Sequence, residues 1–257
     1  MVQQTNQNHF YGWVKDEKDP RDIPFLDTIS AIPTNLPTSV DLRPKMPLVY
    51  NQGNLGSCTA NAIAAAVDFA RGHEDEFFIY PSRLLIYYDE REIEGTTGFD
   101  AGGQIRDGIK SVHTIGTVPE GQWPYDISKF TVKPPKEVYK NAIKFQTLDY
   151  SRILDTDINQ VRAALATGLP FAFGFNVYAS FETPKVAATG LMPRPLPGEQ
   201  LLGGHAVCAV GYDDLTQLIT VRNSWGADWG DKGYFYMPYD FMLSDQTSDF
   251  WQIKTTK

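Results

Sequence analysis

Residues 51–62, Asn-Gln-Gly-Asn-Leu-Gly-Ser-Cys-Thr-Ala-Asn-Ala, place the Cys58 thiol at the head of an alanine-rich apolar run. A carboxamide, Gln52, lies a short glycine-bearing turn upstream. Far downstream come Gly203-Gly204-His205-Ala206-Val207 and Asn223-Ser224-Trp225-Gly226. A cysteine attacks as its thiolate, and a free pKa near ~8.5 leaves little thiolate at neutral pH. A helix N-terminus and a cationic neighbour both lower that value. The apolar run supplies the first for Cys58, and His205 can supply the second and then protonate a departing amine. Asn223 is a neutral partner for the other ring nitrogen of His205, with Trp225 close enough in sequence to cover that bond. An oxyanion needs hydrogen-bond donors, and the Cys58 backbone N–H and the Gln52 side-chain amide are the candidates. Together these groups can run acyl transfer through a thioester.

The elements that must position these groups follow from periodicity and turn chemistry. Ala60, Ile63, Ala64 and Val67 recur at helical spacing, which predicts a helix over 58–70 with Ser57 as N-cap and Gly72 as its end. Further helices are expected over 81–92, 103–112 and 158–167, and strands over 171–177, 204–212, 219–223 and 233–237. Helices dominate the first half and strands the second, so the fold class is α+β with two unlike subdomains, about 37–150 and about 151–257. The first 36 residues are polar and then punctuated by Pro20, Pro24, Pro33 and Pro37. That segment reads as an extended arm or pro-segment, the alternative being a strap packed permanently on the domain.

Composition narrows the function classes. The chain has 257 residues, 42% of them hydrophobic, and a net charge of −8. No basic patch favours nucleic acid or an anionic membrane surface, so neither is an expected partner. No stretch approaches the ~20 apolar residues of a membrane span. The N-terminus lacks the charged and apolar regions of a signal peptide, which makes cytoplasmic the default expectation. Two cysteines cannot build a disulfide framework, and Cys208 reads as a small core hydrophobe. His9, His73 and His113 read as isolated, no pair has metal-ligand spacing, and no metal or cofactor is expected. The acidic run Asp16, Glu17, Asp19, Asp22 lacks the glycine and closing glutamate of a calcium loop.

Gln52-Gly53, Gly56-Ser57-Cys58, Gly204-His205-Ala206-Val207 with Val210-Gly211-Tyr212, and Asn223-Ser224-Trp225-Gly226 with Trp229-Gly230 and Gly233-Tyr234 resemble the motifs of the papain-like cysteine peptidases. The distance from Cys58 to His205 falls within the roughly 130–150 residues typical of that family. Val40-Asp41-Leu42-Arg43, Gly102-Gly103 and Trp123-Pro124-Tyr125 add to the resemblance, which covers about residues 37–257. It implies a helical left domain and a β-barrel-like right domain with the active site in the cleft between them. It also implies Cys58 as nucleophile, His205 as acid/base, Asn223 as the residue that orients it and Gln52 as oxyanion donor. Gly102 and Gly103 would pair with the backbone of a peptide or protein substrate. Gly174 and Ala206 would line the S2 pocket, Ser248 or Asp249 would lie near its floor, and Trp225 would border the site. The expected enzyme is a monomeric endopeptidase without a cofactor.

The family's usual Cys-Gly-Ser-Cys-Trp is replaced by Leu55-Gly56-Ser57-Cys58-Thr59, so one half of a usual disulfide is absent, and Asp100 is expected in place of the other. Thr59 for Trp changes the packing behind the thiol. The short arm, with Tyr11-Gly12-Trp13-Val14 and Asp19-Pro20-Arg21-Asp22, resembles compact bacterial and archaeal members, and is expected to lie in or near the cleft and restrain activity. A transglutaminase- or amidase-type acyl transferase and a catalytically silent peptide-binding module are the alternatives.

Overall fold

The computed structural model describes residues 9–75, 78–146 and 149–254. Residues 1–8 of the expected arm and the side chain of His73 lie outside what is described. The helices are α1 (Cys58–Asp75), α2 (Arg83–Glu94), α3 (Ile105–Thr114), α4 (Lys136–Ala142), α5 (Ile158–Ala166), α6 (Pro184–Thr189) and α7 (Tyr239–Met242). The strands are β1 (Ser39–Asp41), β2 (Asp149–Arg152), β3 (Phe171–Tyr178), β4 (Leu201–Asp213), β5 (Leu218–Arg222), β6 (Tyr234–Pro238) and β7 (Thr247–Lys254). Helices α1–α3 pack against one another, and α1 lies against β3, β4 and β7. This is the α+β division expected from the sequence. No described helix is long and apolar enough to cross a membrane.

Helix α1 is buried all round from Cys58 to Ala70. Its alanines let neighbouring elements approach from every side, which suits a central helix rather than an amphipathic surface one. The helix runs three residues past Gly72, where a stop was expected. Gly72 serves packing instead: a Cβ there would lie 2.7 Å from the Phe78 ring. Ser57 accepts the first helical N–H, from Asn61, through its carbonyl, while its hydroxyl bonds Tyr125 and Asn61 rather than capping. Helix α2 is closed at both ends by its own sequence. Ser82 accepts from the Leu85 N–H, and Gly95 takes the left-handed conformation at φ 72°.

All strand pairs are antiparallel, in the order β2-β7-β3-β4-β5-β6, with β1 on β4. The long β4 is the hinge of this sheet. It pairs with β3 through residues 201–209, and with β5 and β1 near its far end. His205 and Ala206 sit mid-strand, opposite Phe175 and Gly174. Strand β7 escaped the sequence reading because Ser248, Asp249 and Gln252 interrupt its apolar residues, yet all three are buried and hydrogen-bonded.

The N-terminal segment divides into two parts. Residues 22–29 form a strap: Phe25 is fully buried in the core, the Arg152 N–H donates to the Ile23 carbonyl, and Asp22 pairs with Arg106 and Arg152. Residues 9–16 instead run through the groove between α1 and β4.

Candidate active site

Cys58 opens α1, where the first backbone N–H groups have no intrahelical partner. The N–H groups of Ala206, Gly12 and Thr59 are turned toward its sulfur and favour the thiolate, but burial outweighs them and pushes the thiol up to about 11. His205 Nε2 lies 2.8 Å from Asn223 Oδ1. Its Nδ1 is buried and without a hydrogen-bond partner among the described residues, which leaves that nitrogen for the thiol. Burial drives the imidazole down to about 4, with Asn223 opposing. In this arrangement both groups are neutral at pH 7, a thiol and an imidazole rather than an ion pair.

Trp225 stacks on the imidazole, with ring centroids 4.9 Å apart and planes at 25°. Trp229 meets Trp225 edge-on at 4.9 Å, so the His205–Asn223 bond is shielded by two indoles. The side chain of Gln52 is fully oriented. Its Oε1 accepts from Ser224 Oγ at 2.6 Å, and its Nε2 donates to the Leu55 carbonyl at 2.9 Å and the Phe10 carbonyl at 3.0 Å. The structure therefore brings Cys58, His205, Asn223 and Gln52 to one groove, with a carbonyl of the arm already on the Gln52 amide.

Several of the remaining sequence-predicted residues meet the arm as well. Gly103 N–H donates to the Gly12 carbonyl at 2.8 Å, and Val14 N–H donates to the Gly103 carbonyl at 3.0 Å, in a parallel bridge. Trp13 N–H donates to the Gly204 carbonyl at 3.0 Å on the opposite wall. Three glycines make this threading possible. A Cβ on Gly12 would lie 1.7 Å from the Gly56 carbonyl oxygen, one on Gly102 2.1 Å from the Gly12 oxygen, and one on Gly174 1.9 Å from the Trp13 indole. The indole fills the pocket expected beside Gly174 and Ala206 and donates to Asp249 Oδ2 at 3.0 Å. Asp249, rather than Ser248, faces the pocket. Ser248 is buried behind it and donates to Asp249 Oδ1 at 3.0 Å.

Several participants were not legible as such. His9, expected to be isolated, stacks on Trp225 at 3.6 Å and 7° and pairs with Glu182 at 2.7 Å. Tyr11 donates to the same carboxylate and meets His205 edge-on. Their signal was the cluster His9-Phe10-Tyr11-Gly12-Trp13, aromatic residues in an otherwise polar arm, but nothing in the sequence connects it to Glu182. Asp100 does stand in for a covalent link: it accepts from the Gly56 N–H at 3.0 Å and from the Tyr87 hydroxyl. Cys58 and Cys208 are both unpaired thiols.

The family model for the papain family cysteine protease matches residues 36–247. The chain belongs to the papain family of cysteine proteases. It is 42% identical to xylellain, a cysteine protease from Xylella fastidiosa, whose crystal structure superimposes with a TM-score of 0.87 over 96% of each chain. An uncharacterized peptidase C1-like protein of Acanthamoeba polyphaga mimivirus is 40% identical over 95% of this chain and 86% of its own length. A cathepsin B-like protein of Giardia intestinalis is 30% identical over 81% of this chain and 70% of its own. Digestive procathepsin L 3 of Tenebrio molitor shares the fold at a TM-score of 0.71 with 20% identity. This family matches the fold expected from the sequence, and it makes the chain a cysteine-type peptidase.

Proposed function

We propose that the chain is a Cys-His-Asn endopeptidase held latent by residues 9–16 of its own N-terminal arm. In the working enzyme, Cys58 gives its proton to His205 and its Sγ attacks a peptide carbonyl carbon while the Cys58 N–H and Gln52 Nε2 hold the oxyanion. His205 passes its proton to the departing amine as the C–N bond breaks, leaving a thioester. A water then gives its proton to His205 and attacks the thioester, releasing the acid and the thiol. Asn223 keeps the imidazole aimed, and Trp225 keeps water from their bond. Gly102, Gly103, Gly174 and Ala206 line the substrate path, and Asp249, held by Ser248, ends the pocket for one substrate side chain.

The observation that carries this reading is the arm's occupation of the very groups a substrate needs: Gln52 Nε2 by the Phe10 carbonyl, Gly103 by Gly12 and Val14, and the side-chain pocket by Trp13. The test compares fluorogenic peptide hydrolysis by the full chain, a chain beginning after residue 18, and the full chain with Cys58→Ala. The cut spares Phe25 and the strap. Turnover that rises on truncation and vanishes in C58A is expected. Equal turnover with and without the arm would remove latency from the proposal, and turnover that survives C58A would remove the nucleophile.

A further inference from the structure

Behind the thiol lies a second carboxyl group that the proposed mechanism leaves unused. Glu90, on α2, is fully buried. Its Oε1 accepts from the Thr59 hydroxyl at 2.6 Å, and its Oε2 has no hydrogen-bond partner among the described residues. Thr59 directly follows Cys58 and turns its own backbone N–H toward the sulfur. On its other side, Glu90 lies hard against two glycines. A Cβ on Gly103 would be 2.7 Å from its carboxyl carbon, and one on Gly108 would be 2.6 Å from Oε2. One side chain thus props both the residue that sets the thiol and the backbone that the arm pairs with.

The surroundings decide its charge state. Cys58 and Thr59 face it from α1, Asp107 from α3, and Arg91 and Glu94 from its own helix. Arg91 is occupied elsewhere, donating to the carbonyls of Tyr87 and Phe99 at 2.9 Å. Two nearby carboxylates, an apolar wall that includes Ile63 and a single hydrogen bond give an ionised group no compensation. A negative charge at Glu90 would also oppose a thiolate at Cys58.

We propose that Glu90, held as the neutral acid, is a positioning residue for the Cys58 thiol and the Gly103 backbone, and that its ionisation switches the site off. It acts through Thr59 and Gly103 and touches neither substrate nor the reacting atoms. The consequence is an alkaline limit set by a carboxyl group, in a region of pH where thiol chemistry alone would only accelerate. This inference rests on the peptidase reading, but its first two readouts do not depend on turnover.

The experiment uses the full chain, wild type and Glu90→Gln, which keeps the shape and an acceptor for Thr59. Infrared difference spectra near neutral pH are expected to show a protonated-carboxyl band in wild type that E90Q lacks. The rate of Cys58 alkylation by iodoacetamide is measured across pH for both chains. The E90Q/wild-type ratio should climb roughly threefold or more as pH is raised, in step with the loss of the wild-type carboxyl band, as Glu90 ionises and holds the thiolate back. Absence of the band, or a flat ratio, would overturn the proposal. Peptide turnover is followed in parallel. If no form of the protein hydrolyses peptides while the band and the rising ratio are present, the peptidase reading fails and the role of Glu90 beside the thiol stands.

Discussion

Gly12 shows how much a single hydrogen atom in place of a methyl group decides here. The arm passes so close over Gly56 and Gly102 that any side chain at position 12 meets backbone, not a flexible neighbour that could give way. Gly12→Ala must therefore lift the arm from the groove, at a cost of about 1–3 kcal/mol, the usual range for overpacking. Since the cost falls on the closed state alone, peptide turnover by the full chain should rise by about 5- to 150-fold. Initial rates with a fluorogenic peptide measure this, and a rate at or below that of wild type would show that closure does not limit activity. The same substitution changes the chemistry of the uncovered pair. Burial holds the Cys58 thiol up at about 11 and the His205 imidazole down at about 4, which favours the neutral pair. Exposing the pair moves both values back toward each other, which raises the thiolate fraction at a given pH. Alkylation of Cys58 in G12A should then reach its plateau at lower pH than in wild type.

Among the elements, the strap and the cleft segment are consecutive in sequence and opposite in purpose. Phe25 fills the core, whereas Trp13 fills a pocket that a substrate would otherwise use. Phe25→Ala should cost about 3–5 kcal/mol of stability, as for other buried aromatics. Trp13→Ala should leave the melting temperature nearly unchanged and raise turnover. Thermal unfolding followed by circular dichroism, with rates on the same samples, separates the two. A chain in which F25A unlocks activity without loss of stability would contradict the division at about residue 20. This contrast also shows what was legible beforehand. Helix α1 and the strand bearing His205 could be read because helical period and alternation are local signals, whereas the grouping of Cys58, His205, Asn223 and Gln52 was implied by the order of their motifs and their resemblance to papain-like peptidases. Strand β7 could not, because Asp249 and Gln252 look solvent-facing until their partners on the arm, β2 and α5 are known. Gly72 looked like a helix stop because its packing partner, Phe78, lies beyond the helix in sequence. The arm's place in the cleft was suggested by its prolines and its resemblance to compact relatives. The residues that hold it, Glu182 and Asp249, lie far along the chain, and pairings at such separation leave no periodic trace.

For the molecule as a whole, the closed state is tied to pH through the place where the arm's end meets the sheet. Asp16 is buried beside Asp249, and the two carboxyl groups share a cage of donors: Trp13 and the Asp16 N–H on Asp249, Trp251 on Asp16, with Arg106 and Arg152 at the edge. Burial first, and the charge of Asp249 second, push Asp16 up to about 7. Asp249 is raised as well, mainly by burial. Undocked, Asp16 is an exposed aspartate near the ordinary ~4. A group whose docked value lies above its free value favours docking when protonated. Its contribution is complete below the free value and is lost as pH rises through the docked one. Between those limits the docking constant falls by up to about tenfold per pH unit, so docking of the arm is tightest at about pH 4 and below and loosens from about pH 4 to about pH 7. Under the proposed latency, the active form emerges as the surroundings turn from acid to neutral, the reverse of activation by acid. Turnover of the full chain relative to Asp16→Asn isolates this group, because the His9–Glu182 contact and the thiol itself are common to both chains and cancel in the ratio. D16N removes the proton exchange while keeping an acceptor for Trp251, so the wild-type/D16N ratio should increase with pH through neutrality. A ratio that is constant, or that falls, would mean that the buried pair does not govern the opening of the arm.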